Sequence, residues 1–134
     1  MNIRNDLLYT RSHEWVRFDG NKAIVGISDY GQSQLGDIMV LVCPEIGTVV
    51  TGGLPFSEVE SVKAVSSLFS PVNGVVIAIN DSLADAPEII NQDPYGEGWI
   101  IVIEVDADRG QEVLLDSAAY SGLIEPKSKC ACSE

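Results

Sequence analysis

Short apolar runs bounded by glycine, proline and asparagine recur along the first half of this chain and predict strands joined by tight turns. Residues 13 to 27 read as a hairpin, with Trp15, Val16 and Phe18 on one arm, Asp19-Gly20-Asn21 as the turn and Ala23-Ile24-Val25-Gly26-Ile27 on the other. Ser28 to Leu35, interrupted by Gly31, reads as a short helix with Ser28 as its N-cap. Ile38 to Cys43 is a continuous apolar run, Pro44 to Gly47 turns the chain, and Thr48 to Thr51 is extended again. Beyond Gly52-Gly53, Pro55 to Val62 and Ala64 to Phe69 form a further pair of strand-like runs, closed by Ser70-Pro71, where proline disfavours pairing. They predict a hairpin with Lys63 near its tip.

The second half repeats the first in outline. Gly74-Val75-Val76-Ile77-Ala78-Ile79 answers Lys22-Ala23-Ile24-Val25-Gly26-Ile27, and each is followed by a polar, helix-compatible stretch and a strand, Ile38 to Val42 or Trp99 to Val105. Two such halves can face each other as a flattened sandwich, with the Lys63 hairpin between the repeats. Residues 106 to 124 carry Val113-Leu114-Leu115, Ala118-Ala119 and Leu123, spaced for an amphipathic helix packed back on the sheets. The expectation is one mainly β domain over residues 1–125, with short helices and a C-terminal helix, and a flexible tail over 126–134.

Composition narrows the classes of function. A chain of 134 residues supports one domain with a modest core. No apolar run approaches the roughly 20 residues that cross a bilayer, and the opening Met-Asn-Ile-Arg-Asn-Asp-Leu-Leu has neither the apolar core of a secretory signal nor the basic character of a transit peptide. A soluble cytoplasmic protein is expected, or a mitochondrial matrix one if the sequence is a mature eukaryotic form. Twenty acidic residues against eight basic ones give a formal charge of −12, which opposes nucleic-acid binding and can steer the molecule toward basic patches on enzymes. Three cysteines, Cys43, Cys130 and Cys132, make no disulfide framework. Cys43 reads as a buried thiol at a strand end, and the tail pair supplies too few thiolates for a tetrahedral metal site.

An ammonium at a hairpin tip stays solvated and within reach of a modifying enzyme, which suits attachment of a swinging cofactor. On geometry alone a turn lysine is more readily an ordinary surface residue. The wording around Lys63 separates the two. Ser12-His13-Glu14-Trp15-Val16, Gly26-Ile27 with Asp29-Tyr30, Leu35-Gly36-Asp37-Ile38, Pro44 and Gly47 precede Glu60-Ser61-Val62-Lys63-Ala64. Ser70-Pro71-Val72-Asn73-Gly74, Pro87 with Ile90-Asn91, and Pro94-Tyr95-Gly96-Glu97-Gly98-Trp99-Ile100 follow it. In this order and spacing, from about residue 8 to about residue 124, the chain resembles the H proteins of the glycine cleavage system, a family of lipoyl carriers.

The resemblance implies the flattened β-sandwich of lipoyl and biotinyl carrier domains, also called a barrel-sandwich hybrid. It also implies lipoic acid joined as an amide to Lys63, by a lipoate ligase or an octanoyl or lipoyl transferase. In that family a pyridoxal-phosphate glycine decarboxylase loads the arm with the aminomethyl group of glycine. A folate-dependent aminomethyltransferase passes the one-carbon unit to tetrahydrofolate, and dihydrolipoyl dehydrogenase re-oxidises the dithiol. The chain is then a monomeric carrier in glycine catabolism and one-carbon metabolism, with no active site, metal, membrane or nucleic-acid role of its own. Paired carboxylates, metal-ligand spacings and nucleophile-base pairs are all missing from the sequence, which agrees.

The same resemblance implies that Glu14 and Ser12 line a cleft that shelters the amine of the loaded arm. On its own, Glu14 also reads as a solvated strand residue, and His13 as structural. The family commonly has a histidine where this chain has Gln34 and an acidic residue where it has Ser67, both bordering the cleft, so docking of the loaded arm is expected to be weaker here. That leaves two alternatives: an H-like carrier or lipoyl relay for another enzyme system, and an interaction domain whose Lys63 is never modified. A biotinyl carrier is disfavoured, because Val62 and Ala64 stand where methionines usually flank the biotinylated lysine.

Overall fold

A computed structural model describes residues 3–107 and 114–124. Strand β1 (Leu8–Tyr9) pairs with β2 (Glu14–Asp19), which turns back into β3 (Lys22–Ile27) with Asp19 opposite Lys22. The two-residue turn between them needs a left-handed first residue, and Gly20 supplies it at φ 63°. Helix α1 (Asp29–Leu35) follows, and the Ser28 hydroxyl accepts the N–H of Gly31, the predicted N-cap. Next come β4 (Ile38–Val42), β5 (Val49–Val50), β6 (Pro55–Ser61), β7 (Val65–Phe69) and β8 (Gly74–Ile79). Two single-turn helices, α2 (Ser82–Asp85) and α3 (Ile89–Gln92), are separated by Pro87 and lead to β9 (Ile101–Val105) and α4 (Ser117–Ile124).

The strands form two sheets, with every named pairing antiparallel. The larger runs β1-β2-β3-β9-β8-β5 and the smaller β4-β6-β7. Alternation explains the layering: β6 points Ser57, Val59 and Ser61 inward and Glu58 and Glu60 outward, and a register shift between Pro55 and Ser57 lets Phe56 be buried as well. Val16, Val25, Val76, Ile101 and Ile103 of the large sheet meet Ile38, Leu41, Phe56, Val59 and Leu68 of the small one in a single buried cluster. This is the expected mainly β sandwich.

The halves are not one sheet each, however. The repeated strands β3 and β8 lie in the same sheet, with the second-half strand β9 inserted between them, so the halves interleave. Their final strands diverge, β4 going to the small sheet and β9 to the large.

The C-terminal helix is also shorter than the pattern over 106–124 predicts. Leu115 exchanges backbone hydrogen bonds with Tyr9, both at 2.7 Å, which draws that stretch into an extended bridge before α4 begins. Tyr120 of α4 then stacks on Tyr9 with ring centroids 4.3 Å apart. Val113, Cys130, Cys132 and the 126–134 tail lie outside the described residues. Cys43 is half-buried, one position past the end of β4, and burial raises its thiol pKa with help from the Asp81 charge.

Candidate functional site

Lys63 sits at the tip of the β6–β7 hairpin, exposed to solvent as the sequence predicts. Ser61 shapes the tip. Its N–H donates to the Ala64 carbonyl at 2.9 Å, and its buried hydroxyl accepts the N–H groups of Lys63 and Ala64 at 3.2 and 3.3 Å. The tip also leans on the α1–β4 junction, where the Val62 N–H donates to the Asp37 carbonyl at 3.0 Å. A Cβ placed on Gly36 would lie 3.4 Å from Lys63 Cε, so the lysine stem runs over a residue that offers no side chain to obstruct it.

Beside this stem opens a cleft of about 180 Å³ lined by Ser12, His13, Gln34, Leu35, Ser66 and Ser67, with Leu68 behind them. Three of the predicted site residues, Ser12, Gln34 and Ser67, therefore share one wall system, brought together from the β1–β2 turn, α1 and β7. Glu14 does not line it. It is 1% exposed and stands behind Ser12, so the solvated-strand reading of Glu14 fails.

Glu14 is buried because it is satisfied there. Its Oε1 accepts the hydroxyls of Thr10 at 2.5 Å and Ser12 at 2.6 Å, and its Oε2 accepts the N–H of Phe69 at 3.1 Å. Burial pushes the carboxyl above its ordinary range, and these donors pull it partly back. Thr10 was absent from the sequence reading. Thr10, Ser12 and Glu14 occupy alternate positions of one polar segment, a signal that was there to use.

His13 serves the frame. Its φ is 76°, and its Nδ1 hydrogen-bonds the Tyr120 hydroxyl at 2.8 Å, which in turn meets the Ser28 hydroxyl at 2.6 Å. Burial pushes the Tyr120 phenol up to about 12. Through this cluster α4 is fastened to the N-terminus of α1 and so to the cleft.

These features can be set beside known proteins. The family model for glycine cleavage H-protein matches residues 7–127. The chain belongs to the glycine cleavage H-protein family. It is 51% identical over 125 residues to the glycine cleavage system H protein of Anaeromyxobacter sp. (strain K), covering 93% of this chain and 98% of that one. The H protein of Rubrobacter xylanophilus is 50% identical over 123 residues, covering 92% and 95%. A crystal structure of a glycine cleavage system H protein from Mycobacterium marinum superposes with a TM-score of 0.82 at 35% identity, covering 90% of this chain and 97% of that one.

In this H-family chain the side chains lining the cleft carry no carboxylate; Ser12, Gln34, Ser66 and Ser67 offer hydroxyls and an amide. The buried carboxyl of Glu14 stands behind Ser12. A shallower hollow of about 270 Å³ lies on the other side of Ser12, bounded by Arg11, Gly53 and Phe69. A larger one of about 360 Å³ lies on the outer face of the large sheet, among Trp15, Tyr95 and Trp99, and is lined by neither Lys63 nor the cleft residues. No helix among the described residues is long and apolar enough to cross a membrane.

Proposed function

We propose that the chain works through a lipoyl group on Lys63. As an H protein it is the lipoyl-carrier component of the glycine cleavage system. The observation that carries the residue assignment is the exposed Lys63 amine on a shaped hairpin tip, its stem crossing Gly36, next to Leu35 of the cleft. The residues suit the group: an unobstructed primary amine to acylate, and an adjoining recess in which apolar Ile27, Leu35 and Leu68 stand beside hydrogen-bonding Ser12, Gln34 and Ser66. Once attached, lipoate supplies the dithiolane that takes up and gives back the aminomethyl group.

The remaining work falls to the protein's own side chains. Ser61 holds the tip so that Lys63 projects, and Val62 and Ala64 present little bulk to a modifying enzyme. Ser12, Gln34, Ser66 and Ser67 orient the arm by hydrogen bonding. Glu14 stands behind Ser12 and orients its hydroxyl, so it acts on a cationic amine through Ser12 and not by direct contact. The chemistry belongs to the partners: an attachment enzyme, the pyridoxal-phosphate decarboxylase, the folate-dependent aminomethyltransferase and dihydrolipoyl dehydrogenase. The chain itself is a shuttling substrate that catalyses none of these steps, working in the cytoplasm or the mitochondrial matrix.

Peptide mass spectrometry of the protein expressed with lipoate and its attachment enzymes, with Lys63→Arg as control, tests the assignment. Arginine stays protonated and is a poor nucleophile, so lipoate is expected on Lys63 and absent from a normally folded control. An unmodified Lys63 in the presence of a demonstrably active attachment system would sink the assignment and favour a silent interaction domain. Lipoylation without stimulation of glycine decarboxylation would favour a carrier for another enzyme system.

A further inference from the structure

The small sheet does not by itself fix where the hairpin tip points. Strand β4 pairs with β6 at Ile38 opposite Ser61, but the register shifts immediately, between Ile38 and Val40. A bulge there leaves the ladder irregular at the end of the sheet that carries Lys63. The tip gains a separate support from the Val62 N–H bond to the Asp37 carbonyl, at 3.0 Å. That support is only as firm as Asp37, an exposed residue in the link between α1 and β4.

Asn91, on α3, clamps the link on both sides of Asp37. Its side-chain oxygen accepts the Ile38 N–H at 3.0 Å, and its amide nitrogen donates to the Gly36 carbonyl at 2.8 Å and to the Gln32 side-chain oxygen at 2.9 Å. One amide thus holds residues 36 and 38 and leaves the carbonyl of residue 37 facing the hairpin. Gly36, at φ 78°, makes the sharp exit from α1 that brings its carbonyl to Asn91. A planar side chain with both an acceptor and two donors is what this arrangement needs. Ala, Ser or Asp at position 91 would each leave part of it unmet.

We infer that Asn91 is a positioning residue for Lys63, acting through the seat Gly36-Asp37-Ile38 that receives the hairpin tip and aims the lysine stem along the cleft. The inference rests on the reading of Lys63 as the lipoyl site for its functional meaning, and on the hydrogen bonds alone for its physical content. Asn91 lies 55 and 53 residues from the backbone groups it holds. It acts on the tip without touching Lys63.

The test uses the lipoylated full chain and the variants Asn91→Ala and Asn91→Asp. The aspartate keeps an acceptor for Ile38 and provides a second chance should the alanine variant fold poorly. Backbone amide exchange at Val62 is expected to speed up about threefold to tenfold, the equivalent of one net hydrogen bond, while the paired hairpin residues Val59 and Ser66 keep their protection. With the pyridoxal-phosphate decarboxylase, KM for the carrier is expected to rise by a similar factor at unchanged kcat, since ground-state presentation of the arm is what loosens. Unchanged exchange at Val62, equal loosening of Val59 and Ser66, or an unchanged KM despite a freed tip would each overturn the inference. Absence of lipoate from the unsubstituted chain would instead overturn the carrier assignment, and the exchange rates would still decide whether Asn91 holds the tip.

Discussion

The carboxylate of Glu14 reaches across from the large sheet and accepts the backbone N–H of Phe69, at the end of β7 in the small sheet, at 3.1 Å. With its other oxygen held by Thr10 and Ser12, Glu14 ties together the two segments that wall the cleft. Brace and charge can be separated by substitution. Glu14→Ala strands two hydroxyls and an amide and is expected to cost about 2 to 3 kcal/mol. Glu14→Gln keeps an acceptor and the shape, and should cost under about 1 kcal/mol. Urea unfolding of the two variants checks the difference.

Glu14 also sets a pH dependence. Its folded carboxyl holds a proton to higher pH than the ordinary value of 4.5, chiefly because it is buried. The folded state therefore binds more protons than the unfolded one above 4.5, and stability from this group falls as pH rises through that window. Unfolding measured from below 4.5 to neutrality is expected to show that decline for the unsubstituted chain and to lose it in Glu14→Gln.

Tyr120 gives the same sign at the alkaline end. Its phenol is raised from 10.0 to about 12, so stability should fall as pH climbs from 10.0 toward 12, and absorbance of the phenolate should lag behind that of a free tyrosine. Tyr120→Phe removes the hydroxyl that joins His13 to Ser28. Its expected cost is about 1 to 2 kcal/mol, with faster amide exchange in α4 and at the start of α1. An alkaline titration followed by unfolding of this variant measures both effects.

How much of this was legible in the sequence depended on the range of the interaction. The β2–β3 turn, the Ser28 cap and the Lys63 hairpin follow from neighbouring residues, and local chemistry predicted them. The interleaving of the halves did not follow, because β3 and β8 share a pattern that says nothing of β9 coming between them. Leu115 looked helical by spacing and became extended because Tyr9 offered a strand edge. In the cleft, Ser12, Gln34 and Ser67 came from a family resemblance and the structure gathers them. Asn91 and Tyr120 were invisible as site residues, since each acts on groups more than fifty residues away.

Close packing gives a sharper stability expectation at Gly26. The indole of Trp15 packs against it, and an added Cβ would come within 2.6 Å of the ring. Trp15 cannot easily yield, since it is 1% exposed and its Nε1 donates to the Pro94 carbonyl at 2.9 Å. Gly26→Ala should therefore cost about 1 to 3 kcal/mol through overpacking and shift tryptophan fluorescence. Gly20→Ala, with open space around it, should cost only its left-handed φ, about 1 kcal/mol. Thermal unfolding of the pair separates crowding from backbone strain.

The lack of a carboxylate in the cleft lining yields the last expectation. A cationic arm resting there meets hydroxyls and an amide at the surface, while the nearest carboxylate is already committed to Thr10, Ser12 and Phe69. Ser67→Asp would add a carboxylate at a half-buried position on β7, opposite Glu58 in the hairpin register. Repulsion from Glu58 opposes it, but Glu58 is exposed and screened, so the penalty is a fraction of a charge-assisted hydrogen bond of about 1.5 to 3 kcal/mol. The aminomethyl-loaded protein should then lose its group to water about threefold to tenfold more slowly at low salt, with the gain fading as salt rises. Loss rates of loaded Ser67→Asp and unsubstituted protein at two ionic strengths would show this. Equal rates at low salt would mean that the arm does not rest against Ser67, and would leave Ser12, braced by Glu14, as the group that holds it.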